Sequence, residues 1–213
     1  MKVQWFGQAA FLLVSASGLR VITDPYDPAI GYGDIDEVAD VTTVSHDHRD
    51  HNYIDALKGT PQVVKGTGLQ EAKGVRFKGI ATFHDKSEGG ERGNNTIFCF
   101  SLDGVRICHL GDLGHMLSGE QLAEIGEVDL LLIPVGGRAT IDAAEASELV
   151  AQLRPRVAVP MHFKTEKAGL RFGEVDDFLA GKADVRRLNS SEFEVKVEGL
   201  PPASQIVVLQ HAR

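Results

Sequence analysis

Short apolar runs punctuated by glycine dominate both ends of the chain. Residues 3–6, 10–15 and 19–23 predict three strands, with turns at Gly7 and Gly18. Residues 41–44 form a short apolar strand followed at once by a His-rich loop, and 62–65 and 79–84 predict two more strands. Residues 96–102 and 105–110 flank Asp103-Gly104, a two-residue hairpin signal. Ser118 with Gln121 three residues later predicts a capping box opening a short helix. A continuous apolar strand over 128–135 breaks at Gly136-Gly137. A helix follows from Thr140 to about Leu153, and Pro155 ends it. The pattern closes with a strand over 156–160, a helix over 173–180, and strands near 192–198 and 205–209.

Many strands, then strand–helix–strand, then strand again suggest two sheets with helices packed outside them. Polar clusters recur throughout the chain, so one domain over 1–213 is expected. A hydrophobic fraction of 43% and a charged fraction of 24% are ordinary for a globular chain. The formal net charge of -8 disfavours broad nucleic-acid binding. The longest apolar run, 130–135, is too short to cross a bilayer, and Gln4 and Gln8 interrupt any signal-peptide core. Cys99 and Cys108 make no disulfide framework and are expected on adjacent strands as small apolar residues. A cytoplasmic location follows as the expectation.

The chemistry concentrates in Ser45-His46-Asp47-His48-Arg49-Asp50-His51. A loop leaving a strand tip can aim His46 and His48 at one point. Asp50 and His51, expected at the start of a following helix, can aim at a second point a few ångströms away. Imidazole and carboxylate together suit zinc, iron or manganese. Later polar residues at strand tips can complete the set. His84 would join His46 and His48. Asp112, after Gly111, has two oxygens with which to bridge two cations. His162 would join Asp50 and His51. Each also has an ordinary structural reading, as a loop histidine, a turn aspartate or a core histidine bonded to backbone.

His46-x-His48-x-Asp50-His51, then His84, Asp112 and His162 in that order, resembles the five-motif ligand series of the metallo-β-lactamase superfamily. The strand leading to Thr23-Asp24-Pro25 matches as well. Gly111–His115 and Pro160–Thr165 resemble a branch with ascorbate-6-phosphate-lactonase-like and phospholipase-D-like members. The resemblance implies an α/β fold, a four-layer αβ/βα sandwich of two mixed sheets with helices on the outer faces. It implies one metal on His46, His48 and His84, a second on Asp50, His51 and His162, and Asp112 between them. Two divalent ions are then the cofactors, zinc first, with manganese and iron accepted by the same donors.

The reaction implied is hydrolysis of a small anionic ester, lactone or phosphodiester by a metal-bridging hydroxide. Two divalent ions with Asp50, Asp112 and hydroxide leave a net charge of about +1, which favours an anionic substrate. Asp50 and Asp112 act in catalysis, and His115 is a candidate proton donor with a second reading as a supporting histidine. Arg92, Asn94 and Lys164 are candidate substrate contacts. A small anionic molecule is the expected partner, without nucleic acid or membrane, and a homo-oligomer stays open. A metal-binding regulator with little turnover and a di-iron oxidoreductase are the competing readings, the last weakened because no flavodoxin-like domain follows.

Overall fold

The structure, a computed structural model, describes residues 1–167 and 172–213. Two mixed sheets face each other. The first runs β13-β1-β2-β3-β4-β5, with β1 (Lys2–Gly7), β2 (Ala10–Val14), β3 (Arg20–Thr23), β4 (Val41–Val44), β5 (Gln62–Lys65) and β13 (Glu192–Glu194). The second runs β12-β14-β11-β10-β9-β8-β7-β6. Its strands are β6 (Gly68–Ala72), β7 (Val75–Phe83), β8 (Asn94–Leu102), β9 (Val105–His109), β10 (Leu130–Pro134), β11 (Val157–Met161), β12 (Val185–Arg187) and β14 (Gln205–Val208). Strands β9, β10, β11, β14 and β12 are parallel, and β6 to β9 are antiparallel.

Alternation in the first sheet explains its two buried faces. Val3, Trp5, Phe11, Leu13, Val21 and Val41 point into the main core, where they meet Phe77, Ile97 and Leu131 of the second sheet. Phe6, Ala10, Leu12 and Ile22 point the other way and pack on Tyr26, Tyr32, Ile35, Ala39 and Leu57. Each fully buried side chain of this size stabilises by roughly 1.5–3 kcal/mol. The segment over that outer face carries only 3-10 turns, Pro28–Ile30 and Ile54–Ala56. On the second sheet, α2 (Ala143–Leu153) buries Ala146 and Leu149, and α3 (Val175–Leu179) buries Phe178. α1 (Gly119–Ile125) starts in a reciprocal capping box of Ser118 and Gln121.

The observed elements correct the sequence expectations in four places. No helix follows Asp50; His51 and Asn52 donate their amides to the His48 carbonyl in an isolated turn. The helix expected from Thr140 starts after Asp142, whose carboxylate accepts from the amides of Ala144 and Glu145. The strand expected over 192–198 stops at Glu194 and yields to a 3-10 turn. Strands β6 and β12 were not expected. β6 is an edge strand of largely exposed residues, and β12 is three residues long, so neither carries an apolar alternation. Cys99 and Cys108 face each other across β8 and β9, both as free thiols. Among the described residues, no helix is long and apolar enough to cross a membrane.

Candidate metal centre

The polar residues collect where strands end. Asp24 follows β3, the 45–51 loop follows β4, His84 follows β7, Asp112 lies just past β9 and His162 follows β11. Two donor groups result, His46, His48 and His84 in one, Asp50, His51, Asp112 and His162 in the other. Within each group the ligand atoms lie within 4.8 Å of one another. The groups touch. The His46 and His51 rings are 4.3 Å apart, and Asp112 Oδ2 lies 3.2 Å from Nε2 of both His51 and His84 and 3.3 Å from Nε2 of His162.

Hydrogen bonds behind the ligands aim them. The Ser45 hydroxyl donates to Asp24 Oδ2 (2.5 Å), so it accepts from His46 Nδ1 (2.9 Å). His51 Nδ1 donates to Asp24 Oδ2 (2.9 Å), and His84 Nδ1 donates to the Ala139 carbonyl (2.8 Å). Fixing the proton on Nδ1 leaves the Nε2 lone pair of each ring facing the centre. Asp112 is held by its amide, which donates to Asn95 Oδ1 (3.0 Å), while Asn95 Nδ2 donates to Thr82 Oγ1 and the Leu110 carbonyl. Gly111 makes this approach possible, since a Cβ there would lie 2.4 Å from Asn95 Oδ1. Gln8, Asp24 and His162 all hold positive φ (49°, 39° and 51°), a conformation that costs energy in non-glycine residues and clusters at functional sites.

Electrostatics separate the roles. Burial, reinforced by positive charge at His51, pushes His46 down to about 3, so it is a neutral donor at neutral pH. Burial likewise lowers His84. Burial works against ionisation at Asp112 and Asp50, yet His51 and His162 outweigh it and hold both carboxyls well below the usual range. Burial would also lower His51, but Asp112, Asp24 and Asp50 around it raise it well above an ordinary imidazole. Buried carboxylates gathered this closely call for compensating positive charge. His46 Nε2, His51 Nε2 and Asp112 Oδ1 are buried without a hydrogen-bond partner. Such orphaned atoms are rare in native proteins, and a His/Asp set with its lone pairs turned inward fits first-row metal ions.

The remaining sequence candidates divide. Arg92 and Asn94 line a cavity of about 610 Å³ together with His46 and His48. Lys164 lines a different cavity, beside Trp5 and His211, and pairs with Glu174. His115 is committed to the backbone. Its Nε2 accepts from the Phe83 amide (3.1 Å) and its Nδ1 donates to the Met116 carbonyl (2.8 Å), so no ring nitrogen is open for proton transfer. This corrects its role as a proton donor to that of a brace behind His84. The sequence reading gave no role to Gln8, Ser45 or Asn95 and took Asp24 only as part of a matching strand. A polar residue at a buried strand tip was the one signal they carried.

A two-sheet sandwich with a His/Asp donor cluster at its strand ends defines an architecture built to hold metal ions. A family model described as a beta-lactamase superfamily domain matches residues 2–162. A UPF0173 metal-dependent hydrolase of Thermococcus onnurineus is 31% identical over 193 residues, covering 78% of this chain and 85% of that protein. A Thermotoga maritima crystal structure, assigned as a Zn-dependent hydrolase of the metallo-β-lactamase superfamily, is 38% identical, with a TM-score of 0.82 over 98% of this chain and 97% of that one. A metallo hydrolase of Ignicoccus hospitalis shares the fold at 22% identity, with a TM-score of 0.61 over 92% of this chain and 99% of that one. The chain belongs to the metallo-β-lactamase superfamily, among its metal-dependent hydrolases.

Proposed function

We propose that the protein is a dinuclear hydrolase acting on a small anionic ester, lactone or phosphodiester. The observation that carries this reading is the Asp112 carboxylate, in reach of histidines from both donor groups. His46, His48 and His84 would hold one ion, Asp50, His51 and His162 the other, with Asp112 shared. Zinc is the ion we favour, in keeping with the description of the Thermotoga maritima relative. When bound, the two ions supply the charge that lowers the pKa of a water towards neutrality and polarises the substrate oxygen.

The chain's own groups do the rest. Asp24 and Ser45 hold His51 and His46 in the tautomer that leaves Nε2 free. Asp50 and Asp112 stay ionised and balance cationic charge. Arg92 lines the cavity beside His46 and His48, and among the described residues its guanidinium makes no hydrogen bond or ion pair. It is therefore placed to meet an anionic group. Lys65, on the same cavity, is already paired with Asp47 (2.5 Å). The branch resembling ascorbate-6-phosphate-lactonase-like and phospholipase-D-like proteins supports a phosphorylated lactone or phosphodiester within this class. Two unbridged thiols support a reducing, cytoplasmic setting.

The test is a substrate panel on zinc-loaded protein, with a neutral aryl ester, an aryl ester bearing a carboxylate, a lactone and an aryl phosphodiester. Turnover of an anionic member, with Arg92→Ala raising its KM by about 10-fold or more and leaving the neutral ester unaffected, is the expected result. Absence of turnover across the panel, with two zinc ions bound, would favour a metal-binding regulator.

A further inference from the structure

One residue of the β1–β2 turn holds two ligands of the same donor group. Gln8 is 3% exposed, and its Nε2 donates to Asp50 Oδ2 at 2.9 Å. Its backbone carbonyl accepts the His162 amide (3.2 Å) and the Trp5 indole N–H (3.1 Å). Asp50 Oδ2 also lies 3.4 Å from His51 Nε2. Asp50 needs such a tether. Its loop has no helix to stiffen it, the residue is only half-buried, and neighbouring Asp47, His48 and Arg49 are exposed. Asp24 and Ser45 secure His51 and His46 from behind, and Gln8 is the corresponding hold on Asp50. Positive φ at Gln8 turns its carbonyl and side chain to the same pair of ligands at a conformational cost.

We infer that Gln8 is a positioning residue that fixes Asp50 and so sets the affinity of the Asp50–His51–His162 site, without touching the His46–His48–His84 site. The inference rests on the two-metal reading above. An amide N–H leaves the Asp50 oxygen a lone pair for a cation while denying it rotation. Partners of this kind change metal affinity by about 10- to 100-fold when removed. The bonds to His162 and Trp5 come from the backbone carbonyl and survive a side-chain replacement that tolerates this positive φ, so the side-chain contact can be tested alone.

Gln8→Asn is the informative variant. Asparagine tolerates positive φ but is one methylene too short to reach Asp50. Gln8→Glu keeps the length and replaces the donor with a charge that repels Asp50. Metal-free protein would be titrated with cobalt(II), following the visible absorption of each equivalent alongside the melting temperature. The native protein should take up two equivalents. In both variants one of the two, the one bound at the Asp50–His51–His162 site, should weaken by about 10- to 100-fold, the other should be unchanged, and the metal-free melting temperature of Gln8→Asn should match the native value. Equal weakening of both equivalents, or unchanged uptake of both, overturns the positioning role. A native protein that takes up one equivalent overturns the two-metal reading instead. Gln8 is then judged on that one equivalent, and unchanged affinity in Gln8→Asn overturns its role as well.

Discussion

His46, His48 and His84 form a set of three imidazoles with no carboxylate of its own and with His48 exposed to a cavity. Asp50, His51, Asp112 and His162 bring two carboxylates into a pocket where His51, Asp112 and His162 are buried. The first set has no carboxylate and presents one exposed member, His48, to the cavity it shares with Arg92. The second is closed, charged and held from behind by Asp24 and Gln8. The difference teaches a division of labour. Strong binding of a cation calls for buried negative charge, and contact with substrate calls for exposure. One sheet edge supplies both because Asp112 stands between them.

The comparison breaks most completely at Asp112. Asp112→Ala should abolish binding at both sets and lower kcat/KM by about 10³-fold or more, on the scale of losing a principal electrostatic element. Hydrolysis assays with metal analysis check it, and loss of one metal alone would show that Asp112 serves only one set. His48→Ala should empty the first set and spare the second, with little change in melting temperature because the residue is exposed. Asp24→Asn should act first on the closed set, loosening His51 and weakening its metal by about 10- to 100-fold in a chelator competition, with a smaller loss at the first set, whose His46 leans on Asp24 through Ser45.

Acid provides a subtler contrast. Between its ordinary value of 6.5 and its folded value of about 3, His46 takes up a proton in the unfolded chain and refuses it in the folded one. Metal-free stability from this group is therefore present above pH 6.5 and lost as pH falls, by up to about 1.4 kcal/mol per pH unit. His51 works in the opposite sense. Its raised value contributes stability that is full below pH 6.5 and lost as pH rises. Urea unfolding of metal-free protein between pH 7 and 4.5 should show a steeper acid loss in the native chain than in His46→Gln. The smallest effect is expected at His115, where His115→Ala strands the Phe83 amide and should cost about 1–3 kcal/mol of stability with metal content unchanged.

Two members of each set were legible because His46, His48, Asp50 and His51 fall within six residues, and a strand tip turns that closeness in sequence into convergence. His84, Asp112 and His162 were legible as polar residues ending apolar strands. Their holders were not. Asp24 lies 27 residues from His51, and Gln8 lies 42 from Asp50, so only the pairing of β1, β2 and β3 beside β4 brings them together. The hairpin at Asp103-Gly104 and the Ser118 capping box were readable from local turn and cap chemistry. The outer cover of the first sheet was not, since 24–57 buries Tyr26, Tyr32 and Ile35 without a helical period. His115 misled because a histidine beside Asp112 in sequence is turned away by the backbone to brace Phe83.

The central claim is two ions joined through Asp112, and elemental analysis of the purified protein beside His48→Ala and Asp112→Ala tests it most directly. The account predicts two ions per chain in the native protein, one in His48→Ala and none in Asp112→Ala. A native protein that holds no metal after reconstitution with zinc and manganese, or one whose metal content is indifferent to Asp112, would contradict it.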